Sequence, residues 1–105
     1  MLSGKNILIT GASSGIGRQI AIDVAAKNGS AFLTGRDYQR LSEVSELISK
    51  NMQTKAPFFP ADLTMEEDIM RLTESLPLLS GVVINAGIID YTPVKYLTKE
   101  KVINV

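Results

Sequence analysis

Apolar residues fall along this chain in two alternating patterns, short unbroken runs and stripes at helical spacing. Ile7, Leu8 and Ile9 form the first run, so Asn6 to Thr10 is predicted as a strand buried on both faces. Ile16, Ile20, Val24 and neighbouring alanines then recur on one helix face, predicting a helix over Ile16 to Lys27 with Gly29 as its C-terminal glycine. Ala31 to Thr34 reads as a second strand. Leu41, Val44, Leu47 and Ile48 line the second helix, with Asp37 as its N-cap. Ala56 to Ala61 is the third predicted strand, with Pro57 and Pro60 near its ends. Thr64-Met65-Glu66-Glu67 reads as a capping box opening a third helix, whose stripe is Ile69, Leu72 and Leu76. Gly81 to Asn85 completes the series as a fourth strand. Strands alternating with helices predict an α/β fold, a doubly wound parallel sheet with right-handed crossovers.

The turn between the first strand and first helix carries the strongest chemical signal. Residues Thr10 to Gly17 read Thr-Gly-Ala-Ser-Ser-Gly-Ile-Gly. A strand, a glycine turn and a helix start in that order make a phosphate-binding site, because free N–H groups and the helix dipole point at an anion there. Gly11 suits the tight turn out of the strand, Gly15 lets a pyrophosphate approach the backbone, and Gly17 lets the helix pack close to the strand. Arg18 and Gln19 follow Gly17, where a Walker A loop would carry Lys and Ser or Thr. Taken without its neighbours, the same glycine cluster is equally an ordinary structural turn.

Three later features join that octet: Asp62-Leu63 after the third strand, Asn85-Ala86-Gly87 after the fourth, and Thr98 to Val105 at the end. With them the chain resembles the N-terminal half of the short-chain dehydrogenase/reductase family, and is similar to its 3-oxoacyl-carrier-protein reductases. The resemblance runs through essentially the whole chain. It departs at Ile84, where many members carry a first asparagine. The resemblance implies a partial Rossmann-type domain over residues 1–105, with four strands in the order 3-2-1-4, helices on both faces, and an end inside a fourth helix. It implies hydride transfer between NADPH and a carbonyl or alcohol substrate in the longer protein. It places Gly11, Ser13, Ser14, Gly15, Ile16 and Gly17 around the cofactor phosphates, with the two serine hydroxyls near the adenosine ribose or its phosphate. Asp62 would bond the adenine amino group, and the backbone N–H of Leu63 a ring nitrogen. Asn85 would tie neighbouring strands, and Ala86 and Gly87 would let the chain turn beside the cofactor ribose.

The end of the second strand bears on which nicotinamide cofactor is used. An NAD-binding unit places an acid about 20 residues beyond its glycines, on the ribose 2′-hydroxyl. Arg36 stands in that place, 19 residues after Gly17. A guanidinium there pairs with a 2′-phosphate through two parallel hydrogen bonds, which favours NADP(H) over NAD(H). Two other readings stay open. Arg36 is also consistent with a solvated turn residue, and a shift of one position would put Asp37 in the slot.

Tyr91-Thr92-Pro93-Val94-Lys95 matches the family's catalytic Tyr-x-x-x-Lys, but Pro93 opposes a helix across the pair. It is read as a decoy. Val105 matches the valine that precedes the family's catalytic asparagine, and Asn104 is one position early. No catalytic residue is therefore assigned within these 105 residues. The chain is expected to hold the adenosine half of the cofactor site and to be catalytically incomplete alone. The alternative is a non-catalytic nucleotide-binding or assembly module with the same fold.

Composition narrows the classes further. Net charge is zero, which gives no electrostatic case for nucleic acid or an anionic membrane. The longest uncharged stretch, Ser75 to Ile89, is too short and interrupted to span a bilayer. Cysteine and histidine are both absent, which removes disulfides, thiolate metal sites and the commonest general base, so no metal is expected. A cytoplasmic location is the default expectation, and the family resemblance implies a homo-oligomer acting, in the longer protein, on a small carbonyl or alcohol.

Overall fold

The computed structural model describes residues 2–13 and 15–85. Ser14, Ala86, Gly87, the Tyr91–Lys95 pair and the Thr98–Val105 segment lie outside the described residues. The elements follow the order β1 (Asn6–Thr10), α1 (Gly15–Ala26), β2 (Ser30–Gly35), α2 (Tyr38–Met52), β3 (Phe58–Pro60), α3 (Glu66–Ser75) and β4 (Gly81–Val83). The strands form one parallel sheet in the order β3-β2-β1-β4.

The alternation of side chains along each strand divides the core in two. Ile7 and Ile9 of β1, Ala31 and Leu33 of β2, and Val83 of β4 join α1 and α2 on one face. Leu8, Phe32, Phe59 and Val82 join Ile69, Leu72, Leu76 and Leu79 on the other. Coverage on both faces explains why β1 reads as an unbroken apolar run. Leu8, Leu33, Leu41 and Leu79 are fully buried. Each contributes roughly 1.5–3 kcal/mol relative to exposure, so both faces are needed to hold the sheet.

Several boundaries differ from expectation for identifiable reasons. The buried side of α1 is Gly17, Ala21, Val24 and Ala25, whereas Ile16 is 70% exposed. The close approach at Gly17 fixes which side of the helix faces the sheet, and Ile16 is carried outward. At the end of α1 it is Asn28, not Gly29, that takes the left-handed conformation (φ 67°). Asn28 N–H donates to Ala25 and Gly29 N–H to Val24, a Schellman arrangement. Gly29 is needed for space, since a Cβ there would lie 2.8 Å from Val24 Cγ1.

β3, Phe58–Pro60, is shorter than the predicted span, although the Pro57 carbonyl accepts the Leu33 N–H and the Ala61 N–H donates to the Gly35 carbonyl on either side of it; the Ala56 carbonyl accepts the Ser45 hydroxyl at 2.6 Å. β4 stops at Val83 because the Asn85 N–H donates to the Thr10 hydroxyl rather than to a strand carbonyl. The capping box at Thr64 does not form: the N-cap of α3 is Met65 and has no side-chain cap bond. The Thr64 hydroxyl donates instead to Asp62 Oδ1 at 2.6 Å. For α2, Asp37 is the N-cap as expected, accepting the Arg40 N–H at 3.1 Å.

Candidate functional site

In the order β3-β2-β1-β4 the chain first adds strands to one side of β1 and then crosses to the other. The carboxyl ends of β1 and β4 therefore flank a crevice at the switch point, the usual place for a ligand in an open parallel sheet. The described candidate residues follow the carboxyl ends of the strands: Gly11, Ser13, Gly15, Ile16 and Gly17 after β1, Arg36 after β2, Asp62 and Leu63 after β3, and Asn85 after β4.

Two threonines hold these strand ends in place. Thr10 and Thr34 are register partners, both fully buried and each the last residue before a glycine. Thr10 Oγ1 donates to the Val83 carbonyl at 3.3 Å and accepts the Asn85 N–H at 2.9 Å. Thr34 Oγ1 donates to the Phe59 carbonyl at 2.7 Å. Each hydroxyl thus fastens its strand to the outer neighbour. The backbone adds Ala12 N–H to Thr34 O and Ala61 N–H to Gly35 O, which tie the loops after β1 and β3 to β2.

The glycine loop divides its work between conformation and space. Gly11 and Gly15 have positive φ of 61° and 58°, costly for a residue with a Cβ. A Cβ on Gly15 would meet nothing within 4 Å, so its backbone faces open space. Gly17 is the opposite case. A Cβ there would lie 2.1 Å from Gly11 O and 2.7 Å from Asn85 Nδ2. Helix α1, the turn after β1 and the Asn85 side chain are in close contact through this glycine. Ser13 and Gly15 also line a groove of about 410 Å³ with Arg18, Arg40 and Glu43.

Arg36 is exposed just past β2. Asp37 is committed elsewhere: its carboxylate caps α2 and pairs with Arg40 at 3.5 Å. The Arg36 charge reaches across to Asp62. The Thr64 hydroxyl and then its backbone N–H hold the Asp62 carboxyl below its ordinary 3.8, partial desolvation opposes this, and Arg36 adds to the lowering. A carboxyl lowered on folding gives stability that is present above its unfolded pKa and lost as pH falls through the folded one. The Leu63 side chain is buried against α3, so only its backbone is available at the crevice.

The arrangement suits an adenosine phosphate. Backbone N–H groups at the start of α1 and the open space at Gly15 fit a pyrophosphate. Arg36 offers a cation at the neighbouring strand end, and Asp62 an acceptor beyond it. Asp68 accepts the Asp62 N–H at 2.8 Å, and neither it nor the hydroxyls of Thr10 and Thr34 are marked as site groups by any motif in the sequence. For the two threonines, the repeated Thr-Gly at the ends of β1 and β2 is the signal that remains. Among the described residues no group of three or more acidic, histidine or cysteine side chains is placed to hold a metal, and no helix is long and apolar enough to cross a membrane.

Comparison with known proteins adds the following. Residues 5–105 match the model of the short chain dehydrogenases. A glucose 1-dehydrogenase of Gluconobacter oxydans is 36% identical over 89 residues, covering 81% of this chain and 34% of that protein. A crystal structure assigned as a short chain dehydrogenase from Escherichia coli CFT073, complexed with NADPH, superposes with a TM-score of 0.77 at 34% identity, over 83% of this chain and 39% of that one. Another, assigned as a betaketoacyl-ACP reductase, gives a TM-score of 0.80 at 28% identity, over 94% of this chain and 48% of that one. The chain spans between about a third and a half of these proteins' lengths.

Proposed function

Because the chain belongs to the short-chain dehydrogenase family of oxidoreductases, we propose that its strand ends form the adenosine-phosphate half of an NADP(H) site. The whole protein would be a reductase or dehydrogenase acting on a small carbonyl or alcohol. The observation that carries the cofactor preference is the pairing of an exposed Arg36 with an Asp37 already spent on capping α2. With the neighbouring acid withdrawn into a cap, the strand end presents a cation to the ribose 2′ position, where it attracts a phosphate and offers no carboxylate to a 2′-hydroxyl. The NADPH held by the Escherichia coli relative supports the same reading.

Within this proposal the residues have separate roles. The N–H groups of the Gly11–Gly17 turn hold the pyrophosphate, with Ile16 exposed at its rim and the Ser13 and Ser14 hydroxyls beside the ribose. Asp62 accepts from the adenine amino group, and the Leu63 N–H donates to the ring. Asn85, with Ala86 and Gly87 after it, borders the ribose next to the glycine turn. When bound, the nicotinamide supplies a hydride to a carbonyl carbon or takes one from an alcohol. No residue of this chain is assigned to proton transfer. The similarity to a protein assigned as a betaketoacyl-ACP reductase makes a keto group on an acyl chain one candidate substrate. We read the whole protein as a homo-oligomer in the cytoplasm.

The test is calorimetric titration of the protein with NADPH and NADH. NADPH is expected to bind at least tenfold more tightly, about 1.4 kcal/mol. Arg36→Asp is expected to shrink or reverse the ratio. Equal affinities in the unmutated protein would remove Arg36 from this role.

A further inference from the structure

We propose that Asp68, clamped by Arg71, is a positioning residue for adenine recognition by Asp62. The proposal rests on the reading of the strand ends as a nucleotide site. It starts from an inventory of the polar groups of Asp62. The backbone N–H donates to Asp68 Oδ2 at 2.8 Å. The backbone carbonyl accepts from the Met65 N–H at 2.9 Å. Oδ1 accepts both the Thr64 N–H at 3.0 Å and the Thr64 hydroxyl at 2.6 Å. Oδ2 alone takes no hydrogen bond among the described residues. Three of the four groups are fixed, and the fourth is left for a partner from outside.

The three fastenings are not equivalent. Those from Thr64 and Met65 are local and move with the loop. The one from Asp68 anchors the loop to α3, whose Ile69 and Leu72 are buried in the core. Asp68 is the third residue of α3, after Glu66 and Glu67, where a carboxylate also favours the helix dipole. Its side chain is 23% exposed, and its second oxygen, Oδ1, pairs with Arg71. Both oxygens of Asp68 are therefore occupied, and a rigid helix fixes the position of the Asp62 N–H. The Arg71 guanidinium pairs with the Asp68 charge, while the Asp62 carboxyl itself is held low by the Thr64 bonds and the Arg36 charge.

A merely structural Asp68 would lower the affinity of every ligand alike, or only the melting temperature. A positioning Asp68 acts on the group Asp62 reads. The experiment therefore compares NADPH with its hypoxanthine counterpart, which has an oxygen in place of the adenine amino group. Binding of each is measured by titration calorimetry. The unmutated protein is expected to prefer NADPH by about tenfold, the value of one good hydrogen bond to a charged group. Asp68→Ala is expected to lower NADPH affinity by about tenfold and hypoxanthine-analogue affinity by less than about twofold, which collapses the preference. Asp68→Asn retains an oxygen for the Asp62 N–H and is expected to restore most of the preference. Arg71→Gln, on the exposed side of α3, is expected to lower the preference by about threefold, and it decides the question if Asp68→Ala does not fold. A preference unchanged in these variants, or equal losses for both ligands, overturns the proposal. An unmutated protein that binds neither ligand, or both equally, overturns the adenine reading of Asp62 itself, and the positioning role with it.

Discussion

The two faces of the sheet are packed by opposite means. On the side of α1 and α2, five of the eleven buried residues are alanines: Ala12, Ala21, Ala25, Ala31 and Ala56. On the side of α3 only Ala61 is small, and Leu8, Leu63, Leu72, Leu76 and Leu79 with Ile69 fill the space. The first face brings a helix close to the strands, and Gly17 is its narrowest point, where helix and turn leave no room for a Cβ. The second holds its helix at a distance set by leucine side chains. The same contrast continues at the strand ends. The tight face delivers the glycine turn, which meets a ligand with its backbone. The bulky face delivers Asp62, which meets it with a side chain. Closeness is what a backbone site requires, and a helix set off by leucines leaves room for a fixed carboxylate.

The contrast can be broken from either side, and adding to the tight face should be the harsher change. Gly17→Ala places a methyl group 2.1 Å from a backbone oxygen that no rotamer change can move. It is expected to destabilise the fold by more than about 3 kcal/mol, past the usual range for overpacking and against the helix propensity of alanine. Urea denaturation measures this, and a loss below about 1 kcal/mol would show that α1 can retreat from β1. Removal should matter most on the other face. Leu79→Ala, at a fully buried position, is expected to cost about 3 kcal/mol in the same measurement. A much smaller loss would mean that α3 settles into the space. Thr10→Val tests the seam between the two faces. It keeps the volume but leaves the Asn85 N–H and the Val83 carbonyl without the hydroxyl. The expected cost is about 1–2 kcal/mol, with Thr34→Val, which releases a single carbonyl, at or below that.

The sequence was most legible where one physical demand acted alone. Burial on both faces made β1 a run of isoleucine and leucine, and the alternation of elements was sufficient for the sheet. The stripe of α2 is legible at Leu41, Val44 and Ile48, because an amphipathic helix of 15 residues repeats its pattern enough times to fix the face; Leu47, expected on the same stripe, is half-buried and lines the groove beside Ser13 and Gly15 instead. Readings failed where two demands competed for one residue. Ile16 fits the helical stripe, but Gly17 must face the strand, and the glycine prevails. Thr64 fits a capping box, but its hydroxyl is held by Asp62. The acid reaching back from the third helical position is Asp68, one residue after the expected Glu67, and its target is Asp62 rather than the cap. Spacing alone does not show which donor a carboxylate meets across six residues. In the sequence Thr10 and Thr34 each read only as the polar end of a strand, and the register alone brings out their shared role.

The hydroxyl of Thr10 also gives the chain a chronology. β1 meets β2 across 24 residues, as in the pair Asn6 and Ser30, whereas the bond from Asn85 to Thr10 spans 75. Closing the longer loop costs about 1 kcal/mol more in chain entropy than closing the shorter one. Non-local pairings of this kind slow folding, so the β1–β2 pair is expected to close before the edge beside the glycine turn. A ligand bridging that turn and Asn85 adds contacts that exist only after the last closure. Such a ligand lengthens the lifetime of the folded state and does little for the speed of reaching it.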